Sequence, residues 1–260
     1  MPYINPVPVL FDDQSRSSVS SQKKKDSDNT SDYKKLDAVY FAFIDVLGFK
    51  QTFDDIKKTS KDNKADKFRT VFNYYFELMN SAKFMEQGQS TGCYAGQTSD
   101  SLYFYTDRVD FLLQFIKIFS HFNLYAMSED VFFRGGIAKG NLYQKEKYQF
   151  YGNSVIYAYL LENNISHNPI IIIDSKTDKD LQQEKDYNEL IKHKGNRVYL
   201  NPFVQLRNSK MLDLYDYSII RKIDESKIIK NIRKNKDAFE FDVKNYSKYV
   251  FLEEEYNTEK

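Results

Sequence analysis

The chain has 260 residues, enough for one sizeable core or for a domain with a small subdomain. Its 38 Lys and Arg nearly balance 37 Asp and Glu, so no global basic field draws it to nucleic acid or anionic lipid. A single cysteine, Cys93, excludes an internal disulfide, the widely spaced His121, His167 and His193 argue against a zinc site, and no apolar run nears the roughly 18–20 residues that span a bilayer.

The start, Met1-Pro2-Tyr3-Ile4-Asn5, lacks a basic region followed by an apolar stretch, so no signal peptide is expected and the chain reads as cytoplasmic. From about Asp12 to Asp32 the residues are Ser, Asp, Lys and Asn, a composition too polar to offset the entropy of ordering. Residues 1–34 therefore read as a disordered arm, with Lys23-Lys24-Lys25 solvated. Ala38 to Val46 is a continuous apolar segment, a buried strand ended by Gly48. The polar stretch Lys57 to Lys67 reads as a loop or exposed first turn. Phe68, Val71, Phe72, Tyr75, Phe76 and Met79 then recur at helical spacing.

Thr91 to Gln97 and Ser101 to Thr106 read as a hairpin whose turn holds Asp100. Asp107 or Asp110 is placed to cap the next helix, which presents Phe111, Leu112, Phe115, Ile116, Phe119 and Phe122 on one face. Val131-Phe132-Phe133 opens a strand that runs into Arg134-Gly135-Gly136-Ile137-Ala138-Lys139-Gly140. A helix is predicted over about Asn153 to Asn163, a strand over Pro169 to Ile173, and helices over Leu181 to Ile191, Ser226 to Lys234 and Val243 to Tyr256. This order predicts an α+β, ferredoxin-like sheet with helices packed on one face. The expected organisation is the arm, a catalytic domain over 35–175, and a C-terminal helical and strand extension, 176–260, packed on it.

Two aspartates stand out. Asp45 interrupts the apolar run Phe41-Ala42-Phe43-Ile44-Asp45-Val46-Leu47-Gly48-Phe49, and Asp100 abuts Ser101-Leu102-Tyr103-Phe104-Tyr105. A charge beside a core strand costs several kcal/mol unless compensated, and a bound cation is a usual compensator. Two such carboxylates brought together suit a pair of divalent metals roughly 3.5–4 Å apart, an arrangement used in phosphoryl transfer. Taken singly, each aspartate also fits a turn at a strand end. By period-two alternation Phe43 shares a face with Asp45, placed to pack on a base, a ribose or the core. Tyr94 and Tyr157 are further pocket candidates by position alone.

Four segments in this order resemble the class III nucleotide cyclases: Phe43-Ile44-Asp45-Val46-Leu47-Gly48-Phe49; Ser99-Asp100-Ser101; Arg134-Gly135-Gly136-Ile137 with Gly140; and Tyr151-Gly152-Asn153-Ser154-Val155 with Ala158 and Leu161-Glu162. The resemblance covers about residues 36–165. Their variants, with Lys248-Tyr249-Val250-Phe251-Leu252 and Tyr256-Asn257, look like the pyrimidine cyclases of bacterial Pycsar antiphage systems.

That resemblance implies a uridylate or cytidylate cyclase, with UTP favoured and CTP possible. It implies two Mn²⁺ or Mg²⁺ ions on Asp45, Asp100 and the Val46 carbonyl. The triphosphate is expected on Gly48, Phe49, Lys50 and Arg134, and the base on Gln149. It further implies a homodimer and a downstream effector activated by the cyclic nucleotide, while the balanced charge and the lack of a spanning run predict neither membrane nor nucleic acid as partner. One departure is plain: where the superfamily places its transition-state Asn and Arg, this chain has Ile156 and Leu160. The competing readings are a catalytically inactive cyclase-like module that binds nucleotide or dimerises, a palm-type polymerase or diguanylate cyclase, and an RNA-binding ferredoxin-like module. The last two are disfavoured by the lack of a Gly-Gly-Asp-Glu hairpin, by the near-zero net charge and by carboxylates where RNA would lie.

Overall fold

The computed structural model describes residues 33–49, 63–82, 93–146, 149–206 and 220–259. Lys50, and all but the last two residues of the expected arm, lie outside these. β1 (Lys34–Val46), α1 (Asn63–Ser81), β2 (Tyr94–Thr98), β3 (Ser101–Thr106), α2 (Val109–Ser128) and β4 (Phe133–Glu146) follow in chain order. β1 lies between β3 and β4, antiparallel to both, and β2 flanks β3. This βαββαβ succession, with β1 and β3 central, is the ferredoxin-like arrangement. A bulge between Leu36 and Val39, with Ala38 at φ 58°, lets β1 start before its apolar run.

Alternation along β1 separates two faces. Tyr40, Ala42, Ile44 and Val46 join the main core beneath α1 and α2, where Phe104 stacks on Phe115 with centroids 4.2 Å apart. Phe41, Phe43 and Asp45 face the other way. There α3 (Asn153–Leu160), continued by a π-helical turn (Leu161–Ile165), lies against β4, and β5 (Gln149–Tyr151) brings Phe150 over Phe41. The expected face of helices is thus that of the two long ones, with a short helix added opposite. α2 begins without a side-chain cap: Arg108 is the capping residue, and Asp110 sits inside the first turn, bonded to Arg108. The aspartate answers the helix dipole and also takes backbone N–H groups of the first turn, that of Phe111 among them.

β6 (Ile171–Ile173) pairs parallel to β4 and continues the sheet to β8 (Arg197–Leu200) and β7 (Ile191–Lys194). The helix expected over Leu181 to Ile191 is not one element. α4 (Ser175–Leu181), capped by Asp174 through the Thr177 N–H at 2.7 Å, and α5 (Tyr187–Leu190) stand apart, with Asp186 left-handed at φ 71° between them. Ile191 then opens a hairpin turning at Gly195 (φ 61°). The buried residues Leu181, Tyr187, Leu190 and Ile191 mimic a helical spacing, yet serve three elements. α6 (Glu225–Ala238) and α7 (Val243–Thr258) close the chain. Ile228 and Ile232 of α6 and Tyr249, Leu252 and Tyr256 of α7 cover Leu124, Met127 and Phe132. No helix among the described residues is long and apolar enough to cross a membrane.

His121 of α2 is buried against Tyr74 of α1, Nε2 to hydroxyl 2.8 Å, and burial pushes its imidazole down to about 4. Between about pH 6.5 and pH 4 the unfolded chain binds a proton that the folded one refuses, so acidification across this window costs stability, in total about 3 kcal/mol. Urea unfolding of the wild type and His121→Gln at pH 7 and pH 4.5 checks this. The wild type is expected to lose more on acidification by that order, and equal losses would contradict it.

Candidate active site

The register brings the candidate residues together at one end of the sheet. Asp45 pairs across β1 and β3 with Ser101 and across β1 and β4 with Arg134. Ser99 takes left-handed backbone (φ 56°) in a two-residue turn between β2 and β3, which sets Asp100 next to Ser101. Ser101 Oγ donates to Asp45 Oδ1 at 3.3 Å, and Arg134 Nη2 lies 3.7 Å from Asp45 Oδ2. Burial and then the Asp100 charge push the Asp45 carboxyl above its ordinary range, against the pull of Arg134, Ser101 and the Val46 N–H.

A cleft of about 290 Å³ opens here, with Asp45, Val46, Gly48 and Arg134 on its sheet side. Gly48, at φ 74°, makes the turn that ends β1 where a side chain would strain the backbone. Val46 turns its side chain into the core, which leaves its backbone to the cleft. The Phe49 ring packs on Phe68, centroids 5.1 Å apart, so any ligand contact falls to its main chain. Phe43 is half-buried and meets Tyr159 edge-on at 5.8 Å. Tyr94 packs beside Tyr103 and Tyr105, while Tyr157 is exposed on α3.

Gln149 is not brought to this cleft within one chain. It pairs with Glu146, twelve residues along β4 from Arg134, or about 40 Å in extended strand. Ile156 and Leu160 are also exposed, at 54% and 41%, on a helix that further shows Tyr157 and Tyr159 to solvent.

Several cleft residues have no role assigned by their sequence alone, although Glu162, Lys248 and Tyr249 fall within the resembling segments. Glu162, in the π-helical turn, is 3% exposed and holds Arg134 Nη2 at 2.6 Å. Burial, ahead of Asp45, raises its carboxyl, and Arg134 opposes this. An acid in an otherwise apolar helical face was the available clue, and π-turns inside helices often mark functional positions. The far wall of the cleft comes from the C-terminal helices: Phe239 after α6, and Lys244, Asn245, Lys248 and Tyr249 of α7. Glu162→Ala is expected to cost about 2 kcal/mol in urea unfolding, because it strips a half-buried guanidinium of its nearest partner. An unchanged midpoint would show the pair to be incidental.

The donor set suits hard divalent cations, which commonly take one or two carboxylates and complete their shell with substrate phosphates. Asp45 and Asp100 repel one another, and a cation between them relieves that. Among the described residues no group of three or more His, Cys, Asp and Glu side chains is placed to hold a metal. A larger depression of about 780 Å³ lies at the start of α6. Its acids are engaged in the fold, with Asp224 capping α6 and Glu225 accepting from the Tyr256 hydroxyl at 2.5 Å.

No family model and no curated protein sequence matches the chain. Among solved structures it is similar to the guanylyl cyclase domain of the RhoGC fusion protein from the aquatic fungus Blastocladiella emersonii. One monomeric crystal structure, of a double mutant, gives a TM-score of 0.44 at 14% identity, over 64% of this chain and 95% of that one. A second, also monomeric, gives 0.42 at 15%, over 64% and 95%. The catalytic core of a rhodopsin-guanylyl cyclase with converted specificity, in complex with ATPαS, gives 0.40 at 17%, over 64% and 96%. Likeness at this level carries no information on substrate.

Proposed function

We propose that this chain is a class III nucleotide cyclase that converts a pyrimidine nucleoside triphosphate, UTP in preference to CTP, to its 3′,5′-cyclic monophosphate and pyrophosphate. The observation that carries the reading is the convergence of Asp45, Asp100 and Arg134 at one end of the sheet, beside a cleft. In the reaction the ribose 3′-oxygen bonds to the α-phosphorus, the bond from that phosphorus to the β-bridging oxygen breaks, and the hydroxyl proton is released. Two Mn²⁺ or Mg²⁺ ions on Asp45, Asp100 and the Val46 carbonyl would acidify the 3′-hydroxyl and neutralise the phosphates. Arg134, steadied by Glu162, faces the negative charge that builds on the leaving pyrophosphate. Gly48 lets the main chain approach the phosphates closely.

A homodimer completes the site in this reading. Its support is the exposed apolar face of α3 and the distance of Gln149 from Asp45 in one chain, so that a base-reading Gln149 serves a partner's cleft. With Ile156 and Leu160 in place of an amide and a guanidinium, charge stabilisation would fall to Arg134 and to the metal ions that Asp45 and Asp100 would hold. The pyrimidine preference and the role as signal generator for an antiphage effector rest on the motif resemblance in the sequence, and the cytoplasmic setting on its composition and start. The same Ile156 and Leu160 favour the competing reading, an inactive nucleotide-binding or dimerising module.

Incubation with Mn²⁺ and each of ATP, GTP, CTP and UTP, with products resolved by mass spectrometry, separates these readings. Cyclic UMP as main product is expected. Cyclic AMP or GMP alone would overturn the pyrimidine assignment, and no cyclic product would give the inactive reading the lead.

A further inference from the structure

α7 is fixed by Tyr249, Leu252 and Tyr256, three buried residues along one stripe, with Tyr249 edge-on to Phe132 at 5.2 Å. Seating that stripe one residue before β4 begins directs the neighbouring stripe, Lys244 and Lys248 at i and i+4, toward Asp45 and Arg134. The arrangement is electrostatically costly. The first turn of α7 carries Lys244 and no acid, opposite to what the helix dipole favours. Lys248 is half-buried near Arg134, and burial, with the charges of Arg134 and Lys244, pushes its ammonium below its ordinary range.

Asp242 offsets the charge on Lys248 only in part, and among the described residues neither lysine makes an ion pair there. Lys248 Nζ donates to the Asn245 side-chain oxygen at 2.8 Å. The nearest acid on the helix, Asp242, is engaged as its cap, accepting from the Asn245 N–H at 3.2 Å and from its amide Nδ2 at 2.6 Å. Arg134 already faces Asp45 and Glu162, and its Nε is buried without a hydrogen bond among the described residues. The cleft of about 290 Å³ has room for a chain of phosphates.

We propose that Lys244 and Lys248 of the C-terminal helix form the polyphosphate-binding wall of the active site, opposite the carboxylates and in the same chain. The proposal rests on the cyclase reading for its substrate, since an anion of several charges is what a nucleoside triphosphate presents. An anion in the cleft compensates both lysines, and takes hydrogen bonds from two ammonium groups and Arg134. The C-terminal extension is then part of the catalytic machinery.

Calorimetric titration of the full chain with inorganic tripolyphosphate in EDTA tests this directly. The proteins compared are the wild type, Lys244→Gln/Lys248→Gln, and Lys176→Gln/Lys179→Gln, which removes the same charge from exposed positions on α4. The wild type and the α4 variant are expected to bind alike, and the α7 variant at least tenfold more weakly with an unchanged thermal midpoint. No binding by the wild type, or equal binding by all three, overturns the proposal. Cyclase assays on the same samples separate the two claims. Tripolyphosphate binding lost in the α7 variant, with no cyclic product from the wild type, sinks the cyclase reading and leaves the anion site standing. Cyclic product from the wild type with an unchanged KM in the α7 variant sinks the lysine wall alone.

Discussion

Asp45→Asn is expected to reduce cyclic-nucleotide formation by about 10³-fold while leaving the thermal midpoint unchanged or slightly raised. The two halves of this prediction have one cause. Asp45 sits among residues that disfavour its charge: it is partly buried, and Asp100 and Glu162 add like charges that Arg134 only partly offsets. An amide of the same shape keeps the Ser101 contact and sheds that cost. It also removes a carboxylate that would hold the metal ions neutralising the reacting phosphate, and losing stabilisation of charge that develops in a transition state costs about 10²–10³-fold in rate. A carboxylate kept for stability would behave oppositely. Loss of several degrees with activity retained would make Asp45 a structural partner of Arg134 and nothing more.

Gly136→Ala is expected to cost about 3 kcal/mol in urea unfolding and to lower activity with it. A Cβ at this position would lie 2.3 Å from the Ala158 carbonyl oxygen and 2.5 Å from the Leu161 Cβ. Both belong to the segment that leads to Glu162, so α3 must lift off β4 and carry the partner of Arg134 with it. The comparison is Gly195→Ala, at a hairpin turn with φ 61° and no atom within 4 Å of the new methyl. There only the left-handed backbone is penalised, by about 1 kcal/mol. Equal effects at the two positions would contradict the packing argument.

The same glycine shows what can be read in sequence and what cannot. Arg134-Gly135-Gly136 stood out as a motif, but its reason is tertiary: Gly136 lets a helix backbone rest on the strand. Asp45, Asp100 and Arg134 were legible because strands and hairpins impose period two and fixed pairing, so placing three segments places three side chains. Glu162 was harder, since one acid among apolar helical residues does not name its partner. Lys248 falls in a resembling segment and Lys244 does not, yet the place of both at the cleft was hidden for a different reason. The α7 pattern identifies a buried stripe, yet nothing local says that the stripe docks at Phe132 and so aims the lysines at Asp45. The β7–β8 hairpin was masked by buried residues that match helical spacing across three elements. Lys50, expected at the phosphates, lies outside the described residues.

The most direct test of the central claim is the stoichiometry of products from UTP in Mn²⁺, counting pyrophosphate, orthophosphate and cyclic nucleotide in one reaction, with Asp45→Asn alongside. A cyclase with this geometry releases one pyrophosphate for each cyclic UMP and no orthophosphate, and both products vanish in the variant. Orthophosphate with UDP would contradict it, by showing that the carboxylates and Arg134 serve water attack at the γ-phosphorus instead of ring closure at the α-phosphorus.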